Sequence, residues 1–173
     1  MDTDKDILIL LLMNKTKSMR TLFCLFSILI MSCCVGLNAY SQELTIEQKE
    51  KITSEIVTAF ENSINAAENL DAKLLADCVD DSFQSGFIIN GRFFPLFKGV
   101  MDDFNGKAIG CKSQELTVIN KKITVLGENT ALLTTSGDYS LYLEDGRTLT
   151  GKFAWTIVYS KINGQWKIVH SHM

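Results

Sequence analysis

The sequence predicts an α+β domain: three N-terminal helices with a small hairpin, then a four-stranded antiparallel meander. Three observations carry this. Thr45-Ile46-Glu47-Gln48 is a capping box, followed by apolar residues at the three-and-four spacing of a one-faced helix. From Ser113 onward the pattern changes to strands. Three turn signals, Gly127-Glu128-Asn129, Glu144-Asp145-Gly146 and Asn163-Gly164, then divide residues 113–173 into four long segments.

The first helix presents Ile52, Ile56, Val57, Phe60 and Ile64 on one side. Asn69 interrupts it, and Asp71 can cap a second, short helix bearing Leu74, Leu75, Cys78 and Val79. Asn90-Gly91, between Phe87-Ile88-Ile89 and Arg92-Phe93-Phe94, predicts a tight hairpin. Pro95 opens a third helix carrying Leu96, Phe97, Val100, Met101 and Phe104, and Asn105-Gly106 is expected to stop it.

Two turns predict register. The Asn163-Gly164 dipeptide favours a two-residue type I′ loop, pairing Ile162 with Gln165. Tyr159 then faces Ile168, Ile157 faces His170 and Trp155 faces His172, all on the core face. Thr156, Val158, Ser160, Lys167, Val169 and Ser171 fall on the other face. At Glu144-Asp145-Gly146 a two-residue loop would set polar positions against the core. A three-residue loop with Gly146 left-handed restores the alternation, pairing Leu143 with Arg147, Leu141 with Leu149, Thr135 with Trp155 and Leu133 with Ile157. Asp138 then points away from the core. The preceding strand alternates poorly at Lys121-Lys122, where a bulge is expected.

Composition narrows the class. The 173 residues carry 17 basic and 20 acidic side chains, net −3, which leaves no basic footprint for nucleic acid. One Pro and 11 Gly argue against a low-complexity chain. The front end reads as a leader. Lys15, Lys17 and Arg20 form a basic region, Leu22 to Leu37 an apolar run too short to span a bilayer, and Ala39-Tyr40-Ser41 a cleavage site. Residues 1–41 are thus expected to be a signal peptide and 42–173 the single mature domain, periplasmic or secreted. Asp2, Asp4 and Asp6 suit a signal peptide badly, which points to a true start at Met13 or Met19. The membrane enters only through this leader, or through the alternative of a lipid anchor at Cys33. Cys78 and Cys111 sit among apolar neighbours and read as buried free thiols.

The meander also carries a resemblance. Gly151-Lys152-Phe153-Ala154-Trp155-Thr156-Ile157-Val158-Tyr159, followed by Asn163-Gly164-Gln165-Trp166-Lys167-Ile168-Val169-His170-Ser171-His172-Met173, resembles the C-terminal hairpin of SnoaL-like (polyketide-cyclase-like) proteins. These belong to the nuclear transport factor 2-like superfamily, and many are exported bacterial proteins. The resemblance implies a cystatin-like α+β cone with a pocket between the helices and a curved sheet. It implies no single chemistry, because this cone hosts isomerases, dehydratases, cyclases, hydrolases and non-enzymatic binders. The ketosteroid isomerase pair, an Asp near the first strand and a Tyr on the first helix, has no counterpart here. The two Asp and one Arg of the epoxide-hydrolase branch have none on the predicted core face.

Few residues remain to line such a pocket. His170 and His172, two apart on a strand, share a face and offer a neutral-pH acid/base. A metal would need a third ligand, which the neighbouring core positions do not supply, so neither metal nor cofactor is expected. Trp155, Tyr159 and Tyr139 form an aromatic set, and Tyr139 faces Gly151, where no side chain fills space. The expected ligand-binding residues are Tyr139, Trp155, His170 and His172, with His172 near the mouth and His170 more structural. The function expected is binding of a small, partly apolar molecule. Two alternatives stand beside it: an isomerase, dehydratase or cyclase shuttling protons through His172 or His170, and a homodimer module. Val158 and Val169, side by side on the outer sheet face, suggest the last. Asp80-Asp81 and Asp102-Asp103 read as solvated, and Arg92 as exposed.

Overall fold

The computed structural model describes residues 43–173. The leader, its cleavage after Ser41, the Met13 and Met19 starts and the Cys33 anchor lie outside the described residues. Leu44–Met173 forms one compact unit. Among the described residues no helix is long and apolar enough to cross a membrane.

Helix α1 spans Ile46–Glu68 and begins in the expected box: Gln48 N–H donates to Thr45 Oγ1 at 3.2 Å, and Thr45 N–H donates to Gln48 Oε1 at 2.8 Å. Its buried stripe is Ile52, Ile56, Phe60, Ser63 and Ala66. Helix α2, Ala72–Asp77, is capped by Asp71, which accepts from Leu74 N–H at 2.9 Å. Strands β1 (Phe87–Ile89) and β2 (Arg92–Phe94) form the Asn90-Gly91 hairpin, with both turn residues at positive φ.

Helix α3 spans Phe97–Ala108 and departs from expectation at both ends. It runs through Asn105-Gly106, held by Met101 and Phe104 packing against Ala66 and Leu75. Tertiary packing here outweighs the roughly 1 kcal/mol that a helical glycine costs. At its start Leu96 offers no side-chain cap, and Phe97 N–H donates instead to Asp81 Oδ2 at 2.8 Å. Asp81, expected to be merely solvated, caps a helix from 16 residues upstream.

Strands β3 (Cys111–Gly127), β4 (Thr130–Leu143), β5 (Thr148–Ile162) and β6 (Gln165–His172) form the meander. The hairpin does not stand apart from it. Strand β1 pairs in parallel with β6, Phe87 opposite Ser171 and Ile88 opposite His172, giving six strands in the order β2-β1-β6-β5-β4-β3. The sheet is therefore wider than four strands, because a last strand left as an edge would present unpaired backbone groups that the hairpin can satisfy.

Between β4 and β5 the register is the expected one from turn to end. Leu141 faces Leu149, Tyr139 faces Gly151, Thr135 faces Trp155 and Leu133 faces Ile157, with Gly146 left-handed at φ 87°. Between β5 and β6 it is not. Ile162 faces Gln165 and Tyr159 faces Ile168, but then a bulge at Val169 intervenes. Val158 faces His170, Ile157 faces Ser171 and Thr156 faces His172, correcting the expected pairs Ile157–His170 and Trp155–His172. One inserted residue turns every later side chain to the other face. On β3 the expected irregularity lies slightly earlier, between Val118 and Asn120, leaving Ile119 59 % exposed. Lys121 then points inward and sets its ammonium 5.7 Å from the centre of the Phe60 ring.

The core lies between α1 and the concave face of the curved sheet. Ile52, Ile56 and Phe60 meet Leu133, Phe153, Trp155, Ile157, Tyr159 and Ile168, and Phe87 and Phe94 close one end. Phe60 packs edge-on against Trp155 at 6.2 Å. Outside the core, Glu55 binds α1 to the β5–β6 turn, accepting from Lys161 Nζ at 2.7 Å and Trp166 Nε1 at 2.6 Å. Cys78 and Cys111 are free thiols, each half-buried rather than buried.

Candidate functional site

The helices do not cover the whole concave face. Beyond the end of α1, where α2 and α3 lean over β3, β4 and β5, a cavity of about 400 Å³ remains. Leu75, Val100 and Phe104 line its helical side, and Leu116, Leu141 and Phe153 its sheet side. The sheet residues reach it because alternate positions of a strand point to one face. Two contacts hold this wall in place. Leu116 N–H donates to Glu68 Oε1 at 2.9 Å, and Gln114 Nε2 donates to the Ala67 carbonyl, tying the end of α1 to β3.

Tyr139 and Trp155 line the cavity. The Tyr139 ring lies across Gly151, so closely that a Cβ there would sit 2.6 Å from its hydroxyl oxygen. Among the described residues that hydroxyl makes no hydrogen bond. Deeper in, the Trp155 indole N–H and the Tyr159 hydroxyl are enclosed and lack partners of good geometry. Each such orphan costs on the order of 1 kcal/mol or more. Burial pushes the Tyr159 phenol well above its ordinary range, and the Ser63 hydroxyl beside it acts in the opposite direction.

His170 and His172 do not line the cavity. The Val169 bulge puts Ser171 on the inner face, opposite the fully buried Ile157 and Phe87, and the two imidazoles on the outer one. His170 is half-buried, with Nδ1 2.8 Å from the Gly86 carbonyl, a bond that holds the segment before β1. His172 is exposed, pairing with Thr156 and Ile88. The two rings therefore cannot meet a molecule held beside Tyr139. The bulge also parts the supposed outer-face pair, since Val169 is 7 % exposed and faces no Val158.

Several lining residues escaped the sequence. Asp103 reaches the cavity wall from α3 with its carboxylate 2.6 Å from Arg92 Nη1, and Arg92 lies 5.0 Å from the centre of the Phe94 ring. Ser171, Gln114, Cys111 and Asn90 contribute further polar atoms. The three-and-four spacing of α3 could have indicated Asp103, one turn beyond Val100. Nothing local could have indicated Ser171. Lys152 Nζ is held 2.9 Å from Asp138. Among the described residues no three of His, Cys, Asp and Glu converge as a metal site would require. An apolar chamber with few unpaired polar groups and a neutralised acid can hold a small molecule.

Known structures share this architecture. A nuclear transport factor 2-like protein from Salmonella enterica serovar Typhimurium superposes with a TM-score of 0.64 at 22 % identity, over 72 % of this chain and 90 % of that one. The association domain of the C. elegans calcium/calmodulin dependent protein kinase II gives 0.60 at 18 %, over 74 % and 98 %. A hexachlorocyclohexane dehydrochlorinase gives 0.62 at 12 %, over 74 % and 87 %. At these identities the likeness is one of fold, and the expected nuclear transport factor 2-like cone is the fold observed. No curated protein sequence matches the chain. Residues 52–173 match the family model of the calcium/calmodulin dependent protein kinase II association domain, and the chain belongs to that family.

Proposed function

We propose that this protein is a binding module for a small, largely apolar molecule. The observation that carries the reading is the cavity of about 400 Å³, apolar on both walls and polar at few points, which is the make-up of a small-molecule site. Tyr139 and Trp155 would touch the ligand. The proton-shuttle alternative loses its geometry, because His170 and His172 stand on the far side of the sheet. Equilibrium dialysis against a neutral naphthalene hydrocarbon tests the reading. Saturable one-to-one binding, abolished by Leu141→Trp filling the chamber, is expected. Absence of saturable binding to the wild-type protein would overturn it.

The same proposal places the binder outside the cytoplasm, on the strength of the basic and apolar pattern of residues 15–41. Expressed in a Gram-negative host, the exported chain should begin at Gln42. Recovery of an uncleaved chain from the cytosol would count against export.

A second reading is self-association, as a homodimer. The family is named for association, and the outer sheet face exposes Phe93, 64 % accessible, beside Ile88. Light scattering decides this, and a monomer at high concentration excludes it.

A further inference from the structure

The polar atoms of the cavity limit what it can hold. Asp103 is the acid at its wall and is already matched by Arg92 at 2.6 Å. The Lys152 ammonium is spent on Asp138 at 2.9 Å. Gln114 gives its amide N–H to the Ala67 carbonyl. A charged group entering the chamber would therefore find no counterion to replace the water it loses, a cost that usually forbids burial of an ion. Ser171 and Asn90 also line the cavity with side chains that make no hydrogen bond among the described residues, and the Trp155 indole N–H is enclosed; the Tyr139 hydroxyl differs from all of these in being held across Gly151. It lines the cavity, makes no hydrogen bond among the described residues, and owes its position to the missing side chain at Gly151. A phenol can donate one proton and accept in return.

We infer that the cavity takes an uncharged, mainly apolar molecule with one hydrogen-bond acceptor, a carbonyl-like oxygen, and that Tyr139 donates to that oxygen. The inference rests on the proposal that the cavity is a ligand site, and it adds the ligand's chemical class and the residue that selects it. Gly151 becomes a specificity-determining position, since any side chain there displaces the hydroxyl. The displaced atoms are the far end of a flexible side chain, so Gly151→Ala moves Tyr139 without breaking the sheet.

Three probes of nearly one shape test this by equilibrium dialysis: 2-acetylnaphthalene, 2-isopropenylnaphthalene and 2-naphthoate. The ketone has the oxygen, the alkene replaces it with CH2, and the carboxylate adds a charge. The ketone is expected to bind wild-type protein about fivefold tighter than the alkene, the usual worth of one neutral hydrogen bond. The carboxylate should bind more than about tenfold weaker than the ketone. Tyr139→Phe and Gly151→Ala should each remove the ketone's advantage over the alkene. Equal binding of ketone and alkene, a ketone preference that survives Tyr139→Phe, or preference for the carboxylate would overturn the inference while leaving the cavity a ligand site. Failure of all three probes to bind would overturn the ligand-site proposal and the inference with it.

Discussion

The hairpin of β4 and β5 holds one register from its turn to its far end, whereas the hairpin of β5 and β6 slips by a residue after Tyr159. Both are closed by turns with left-handed glycines, Gly146 and Gly164. The difference lies in what each strand meets farther out. Strand β4 alternates buried and half-buried residues without interruption from Thr130 to Asp138, so any slip would bury Thr134 and expose Leu133. Strand β6 must satisfy β5 on one edge and β1 on the other, with Ser171 set against both Ile157 and Phe87. The isolated bridge between Val79 and Ile168 adds a third demand just before the bulge. A turn thus sets register only locally, and later contacts can reset it at the cost of one unpaired residue.

This contrast can be tested where each hairpin is buried. The largest effect should come from Ile157→Ala, fully buried where both registers converge, at about 3–4 kcal/mol by urea denaturation. A loss below about 1 kcal/mol would show the observed packing to be wrong. Val169→Asp separates the two registers directly. On the bulge, where Val169 is 7 % exposed, it should cost about 2–3 kcal/mol; on a solvated outer face it would be nearly neutral.

The next effect is smaller and depends on pH. Hydrogen bonds from Lys161, then from Trp166, hold the Glu55 carboxyl below its ordinary range, with burial partly opposing them. A carboxylate lowered in the folded state stabilises above its unfolded pKa, and that contribution disappears as pH falls through the folded value. Glu55→Gln should therefore lose about 1 kcal/mol near neutral pH, and its melting curve should converge with wild type below the carboxylate range. A gap that persists in acid would assign the effect to packing.

The histidines give the smallest pair. His170→Ala loses the bond to the Gly86 carbonyl and should cost about 1 kcal/mol, while His172→Ala should stay within about 0.5 kcal/mol. Neither should alter binding of a naphthalene probe. A binding defect in either variant would place that imidazole in the cavity and restore the unbulged register.

Local chemistry was legible in advance. The Thr45–Gln48 box, the Asp71 cap, the Asn90-Gly91 turn and the Gly146 loop each need only a few neighbouring residues to act, so their positions follow from sequence. Tyr139 and Trp155 were placed on the cavity's face by the same reasoning, because the β4–β5 alternation needs no distant partner. Asp81 capping a helix 16 residues away, α3 running through Gly106 and β1 joining β6 all required contacts between segments remote in the chain. The histidines belong with these. The alternation of β6 placed them inward, and the bulge forced by competing neighbours on both edges turned them outward. By itself the sequence determined the caps, the turns and the order of elements, since these minimise energy within a few residues. Only the tertiary structure decided which face of the last strand meets the cavity, because one unpaired residue reverses a strand and its energy is settled by every segment packed against it.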